Sequence, residues 1–264
     1  VEMAQPRLVT EALDAIPLRD PDARNVFLLG VAGWSAQDVF LREAQGALDI
    51  LGERFRTDKR VALINNRSTV ATTPIATPAN LATSLAGIAT RMDRDKDVLV
   101  LVLTSHGSRS GISLEFESAV RRVISPTTLK AALDASGIVN RVVVVSACYS
   151  GVFVPVLADD HTAVITAASA ETTSFGCSHE REWTYFGDAF FNHGLREHAD
   201  LGQAFTRARA LVTEWESREG LTRSEPQIHV GAKLREAAPW LVGPAVAPPN
   251  GLGRSASAEP PAAP

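Results

Sequence analysis

VLVLVLTSHG (Val98–Gly107) and, about forty residues later, VVVVSACYSG (Val142–Gly151) decide the fold. Each opens on an apolar run with no polar alternation, the pattern of a strand whose sheet is covered by helices on both faces. Each then breaks into small polar residues and glycine. Val26–Val31, Val61–Ile64 and Ala163–Ala167 repeat the apolar pattern. Between these runs lie segments of helical period at 38–55, 78–92, 126–137, 184–197 and 200–218, the last with Leu201, Phe205, Ala208 and Val212 on one stripe. The alternation predicts an α/β fold, a mostly parallel sheet of about six strands between helical layers. Ile112–Ile124 is expected to interrupt it as a hairpin, and Gln227–Val230 to add an edge strand.

Composition bounds what such a chain does. Its 264 residues are 45% hydrophobic and 21% charged, which fits one globular α/β domain and excludes a disordered or fibrous chain. Twenty-six basic against thirty acidic side chains give a net charge of −4, without the clustered Lys and Arg that nucleic acid requires. No apolar run reaches the roughly 18 residues that span a bilayer. The chain begins with Val1 rather than Met, which leaves room for an upstream segment such as an export signal or membrane anchor, so the compartment stays open. Residues 1–24 read as a polar arm with one helical turn near Glu11–Ile16, residues 25–243 as the domain, and 244–264 as a disordered tail rich in Pro and Ala.

In an open parallel sheet, reactive groups gather at the carboxyl ends of the strands. If the two quoted strands are neighbours, His106 and Cys148 face one cleft. A thiol attacks as thiolate, and an adjacent imidazole or a helix N-terminus favours that form. His106 supplies the first; a helix after Gly151, with Pro155 in its first turn, is expected to supply the weaker second. The amides of Gly107 and Cys148 are candidate oxyanion donors, since Gly107 lacks the Cβ that would keep a substrate away.

The ordered set TSHG (Thr104–Gly107), VVVSACYSG (Val143–Gly151), FLLGVAGW (Phe27–Trp34), ITAASAETTSFGC (Ile165–Cys177), TYFGDAFF (Thr184–Phe191) and SEPQIHVG (Ser224–Gly231) resembles the legumain-like cysteine peptidases, family C13 of clan CD, in their bacterial branch. The resemblance spans about residues 25–232. It implies a three-layer α/β/α caspase-like sandwich, His106 as base and Cys148 as nucleophile, a peptide or protein substrate, and no metal or organic cofactor. It further implies that Ser146, Thr173, Ser174 and Asp188 line a pocket for Asn, or less readily Asp, before the scissile bond. Two departures weaken strict Asn preference: Ser146 stands where legumains carry an acid, and Gln37, Asp38 and Val39 where they carry an Arg-His pair. The tail is too short to resemble their autoinhibitory prodomain, so control by that route is expected to be absent.

Other readings weigh less. Gly30 and Gly33 after the first strand lack the third glycine or the Lys-Ser/Thr pair of a phosphate cradle. Ser105 and Ser150 lie outside any G-x-S-x-G. The spacing of Cys177, His179, His161 and His193 matches no common metal site, and Cys177 reads as structural or pocket-lining. Trp34 and Trp183 are expected to border the cleft, Trp215 and Trp240 to pack. The chemistry leaves three readings: endopeptidase, transamidase using the same dyad, and inactive caspase-like binding scaffold.

Overall fold

The computed structural model describes residues 2–117 and 119–243. In chain order the elements are α1 (Gln5–Asp14), β1 (Val26–Ala32), α2 (Asp38–Phe55), β2 (Arg60–Ile64), α3 (Pro78–Ala89), β3 (Val98–Thr104), β4 (Gly107–Ser108), β5 (Gly111–Phe116), β6 (Val120–Ile124), α4 (Pro126–Ser136), β7 (Asn140–Ser146), α5 (Val154–Leu157) and β8 (Thr162–Thr166). Then come α6 (Tyr185–Gly187), a π-helical stretch (Asp188–Gly194), α7 (Leu195–Glu197), α8 (Leu201–Arg218), β9 (Gln227–Val230), α9 (Ala232–Ala237) and α10 (Pro239–Val242).

Six strands form one sheet in the order β2-β1-β3-β7-β8-β9, parallel except for the antiparallel edge β9. Every residue of β1, β3 and β7 is buried, so both faces of these strands need cover. Period-two alternation divides their side chains: Leu99, Leu101 and Leu103 pack with α1, α3 and α4, while Val98, Val100 and Val102 pack with α2, α6 and α8. The result is a sheet between two helical layers. β4, β5 and β6 form a small antiparallel sheet beside it, the expected hairpin with one short strand added.

Helix boundaries follow local chemistry. Thr77 and Ser125 cap α3 and α4 with side-chain oxygens that accept from Asn80 and Thr128 amides, each followed by proline at the first helical position. Gly137 closes α4 at φ 70°.

Three expectations need correction. The polar arm contains a ten-residue helix, α1, that buries Leu8, Val9 and Leu13, and Gln5 Oε1 accepts from the Ile75 amide at 2.8 Å. Residues 184–197 are no regular α-helix, because the π-helical stretch breaks the 3.6 period. After Cys148 comes one 3₁₀ turn (Ser150–Phe153) and then the four-residue α5, with Pro155 in its first turn, so no helix long enough to carry a macrodipole points at the thiol. The expected tail, 244–264, lies outside the described residues.

Candidate active site

Thr104 of β3 pairs in register with Ser146 of β7. His106 and Cys148 therefore stand equally far past the ends of two hydrogen-bonded neighbours, and the Ser105 amide extends the pairing by donating to the Ser146 carbonyl at 3.3 Å. The two loops touch. A Cβ on Gly107 would fall 2.2 Å from the Cys148 carbonyl oxygen and 3.0 Å from Ala147 Cβ, so only glycine permits this approach.

His106 is half-buried, its ring edge-on to Trp34 (centroids 4.9 Å) and to Phe40 (5.1 Å). Its Nε2 contacts Oε1 of Gln37. An amide oxygen only accepts, so Nε2 carries the proton and Nδ1 keeps its lone pair. Burial lowers the imidazole pKa from its ordinary 6.5, partly opposed by Glu115, which favours the neutral ring that can take a proton.

The half-buried Cys148 thiol accepts from the Ser174 amide (3.3 Å) and donates to the Ser174 carbonyl (3.4 Å). The next residue, Tyr149, is left-handed at φ 56° and turns the chain sharply, its amide donating to the Thr172 carbonyl. Arg109 pairs with Glu171 and lies 5.6 Å over the Tyr149 ring, joining the loops that follow β3, β7 and β8.

Both proposed oxyanion amides are unengaged by the local backbone. The Ser113 amide donates to the His106 carbonyl, which makes Gly107 and Ile112 a non-hydrogen-bonded pair and leaves the Gly107 amide out of that ladder. Cys148 lies outside helices and strands, and its amide makes no backbone hydrogen bond among the described residues. The rival serines are engaged: Ser105 Oγ donates to the Ser113 carbonyl, and Ser150 Oγ bonds the amide and carbonyl of Ala168.

The four expected pocket residues separate. Ser174 touches Cys148 directly, and Thr173 lies beside it, half-buried. Ser146 is buried below them, its hydroxyl 3.2 Å from that of Thr184. Asp188 instead accepts from Asn192 Nδ2 at 2.9 Å and lies 3.8 Å from His193, contacts along its own helical segment.

The acid beside Ser146 is Glu43, which sequence reasoning missed. It comes from α2, is fully buried, and accepts from the Thr184 amide at 2.8 Å through Oε2. Its Oε1 has no hydrogen-bond partner, and neither has the nearby buried Thr104 hydroxyl. Burial pushes the Glu43 carboxyl up, with the Ser146 and Thr184 hydroxyls and the Thr184 amide opposing. A signal existed: along α2 the buried positions are Val39, Phe40, Glu43, Ala44, Ala47, Leu48, Ile50 and Leu51, one acid on an apolar stripe.

Glu43→Gln tests this environment. The raised pKa means that the folded chain keeps a proton the unfolded chain releases, so parental stability falls as pH rises from the carboxylate range toward the raised value. Glutamine carries no such loss, and its amide can donate to the orphaned Thr104 hydroxyl. The melting temperature of Glu43→Gln relative to the parent is expected to climb by about 3 °C or more from about pH 4 to about pH 8, roughly 1 kcal/mol. A gap that stays flat or narrows across that range contradicts the buried acid.

Cys177 stands close enough to feel both Cys148 and Glu43, and its thiol is pushed up to about 12, chiefly by burial. Trp34 borders His106 as expected. Trp183 packs instead over Gly46 of α2 and stacks on Phe191 at 6.1 Å. His179 is exposed beside Asp38, His193 lies between Asp188 and Glu197, and His161 contacts Asn140. Among the described residues no three His, Cys, Asp or Glu converge as a ligand set.

The layered, mostly parallel sheet is the caspase-like sandwich of a class of cysteine peptidases, and its loops place a thiol and an imidazole at the carboxyl end of the two central strands. The chain belongs to the peptidase C13 family, whose model matches residues 80–236, more than half of the sequence. That span includes His106 and Cys148 and starts after Gln37 and Glu43. The family is one of cysteine peptidases, whose substrates are peptides or proteins. No curated protein matches the chain. No helix among the described residues is long and apolar enough to cross a membrane.

Proposed function

We propose that the protein is a cysteine endopeptidase that cleaves after Asn or Asp through a thioester on Cys148. The observation that carries this reading is the register of β3 and β7, which brings His106 and Cys148 to touching loops at the carboxyl end of the sheet's central strands. His106 Nδ1 takes the thiol proton, and Sγ adds to the scissile carbonyl. The Gly107 and Cys148 amides stabilise the oxyanion. Collapse expels the amine, which leaves with the proton returned by His106; water then releases the acid. Gln37 is a positioning residue that holds the tautomer with Nδ1 free. The Ser146, Thr173 and Ser174 hydroxyls suit the carboxamide of Asn, and Asp188 is assigned to the same pocket by resemblance alone.

An Asn-directed electrophile is expected to label Cys148 stoichiometrically, and an Asn peptide to be cut once, on the carboxyl side of Asn, by mass spectrometry. An added amine that appears coupled to the new terminus would convert the reading to transamidation. Labelling without turnover of any peptide would favour the binding scaffold. Labelling at Cys177 in place of Cys148 would overturn both readings that use the Cys148 thiol.

A further inference from the structure

The last residues of β3 and β7, Thr104 and Ser146, are partners in register, and strand alternation turns both toward the layer of α2, α6 and α8. One repeat earlier on that face stand Val102 and Val144, so the hydroxyls replace an apolar rung with a polar one. Two residues beyond it come His106 and Cys148. Onto this rung the helical layer brings two more polar groups, Glu43 from α2 and Thr184, which caps α6. Glu43 is tightly enclosed: a Cβ on Gly187 would fall 2.1 Å from its Oε2. Cys177 lies within electrostatic reach of both Glu43 and Cys148, so the acid and the nucleophile flank one residue.

The hydrogen bonds on this rung have a direction. Thr184 Oγ1 accepts from the Gly187 amide at 3.0 Å, so its own hydrogen is free to go to Ser146 Oγ, 3.2 Å away. The Ser146 hydrogen needs another acceptor. Glu43 Oε2 is taken by the Thr184 amide at 2.8 Å, but Oε1 is buried with no partner, and the carboxyl acts on the Ser146 hydroxyl. A hydroxyl hydrogen rotates to suit its surroundings, and a carboxylate draws it. With one lone pair taken by Thr184 and its hydrogen turned to Glu43, Ser146 has one lone pair left. What it offers to a group entering the pocket is therefore an acceptor.

We infer that Glu43 is a positioning residue for specificity: its carboxylate fixes Ser146 as an acceptor, so that the pocket takes the NH₂ of an Asn carboxamide and turns away the carboxylate of Asp. The inference rests on the proposed Asn or Asp pocket and decides between the two side chains. Asp fails twice, because it brings no hydrogen for Ser146 and sets a second negative charge near a buried one. Glu43 lies outside the residues that the family model matches. It shares α2 with Phe40 and follows the cap Gln37, three residues apart in turn, and those two lie against His106. One face of this helix thus serves both the base and the pocket.

The test compares Asn and Asp peptides of otherwise identical sequence on the parent and on Glu43→Gln. In that variant the Thr184 amide holds the side-chain oxygen at the Oε2 place, so the NH₂ takes the Oε1 place and donates, which frees the Ser146 hydrogen to turn toward the pocket. The Asn-to-Asp ratio in kcat/KM is expected to fall at least about tenfold, mainly through a lower KM for the Asp peptide. A merely structural loss lowers both peptides alike, and a ratio unchanged from the parent overturns the inference. Ser146→Ala leaves the buried acid in place and should lower the ratio as well, which decides the matter if Glu43→Gln fails to fold. Adding Glu43→Gln to Ser146→Ala should bring no further change; a further tenfold fall overturns the relay. The same peptides titrated onto Cys148→Ala protein, with and without Glu43→Gln, separate this failure from failure of the peptidase reading. Tighter binding of the Asn peptide, lost on adding Glu43→Gln, with no cleavage by the parent sustains the role of Glu43 and sinks the peptidase. Equal binding of the Asn and Asp peptides to Cys148→Ala protein sinks the role of Glu43 whether or not cleavage occurs.

Discussion

His106→Ala is expected to slow acylation of Cys148 by about 10²- to 10⁴-fold, the usual contribution of a positioned general base. The imidazole faces Trp34, Phe40 and Gln37, and removing it takes away the group that accepts the thiol proton. The pH dependence makes the role specific. Burial lowers the His106 pKa below 6.5, and only the neutral ring accepts a proton, so parental labelling should fall as pH drops through a value under 6.5. That acid limb should vanish in His106→Ala, leaving a rate that tracks thiol ionisation alone. Rates of alkylation by a neutral electrophile, followed by intact mass across pH, decide the matter. Undiminished labelling in the variant removes His106 from the chemistry.

Gly107→Ala is expected to cost at least about 100-fold in kcat/KM while the fold persists. The new methyl would stand 2.2 Å from the Cys148 carbonyl oxygen and 3.0 Å from Ala147 Cβ, and neither neighbour is the free end of a long side chain. One of the two loops must retreat by roughly 1 Å, a displacement that commonly costs about 10²-fold when it separates reacting groups. The retreat carries away both the Gly107 amide and the nucleophile, so loss should fall mainly on kcat. Circular dichroism should stay near parental and the melting temperature fall by a few degrees, about 1–2 kcal/mol. Turnover within threefold of the parent shows that the close contact is dispensable.

The sheet was readable because buried parallel strands write themselves as unbroken apolar runs. Val98–Thr104 and Asn140–Ser146 differ by no more than two residues at either end from the runs seen in sequence. His106 and Cys148 were readable for the same reason, since strand ends place them. Gln37 and Glu43 were not, because their meaning depends on partners 69 and 141 residues away. Helix α1 escaped because Leu8, Val9 and Leu13 are three apolar positions among polar neighbours, and docking rather than propensity holds them. The π-helical stretch has no signature in hydrophobic period, and Asp188 sits at its start, where rotation of the chain decides which way a side chain faces.

Cys177 has a practical consequence for anyone attaching a fluorophore or spin label. Burial pushes its thiol up to about 12, which disfavours the thiolate that a maleimide or an iodoacetamide dye reacts with. Of the two free cysteines, Cys177 is therefore expected to be the slower toward such reagents. A reporter group offered to the unaltered protein is expected to report first on the carboxyl end of β7, where Cys148 stands.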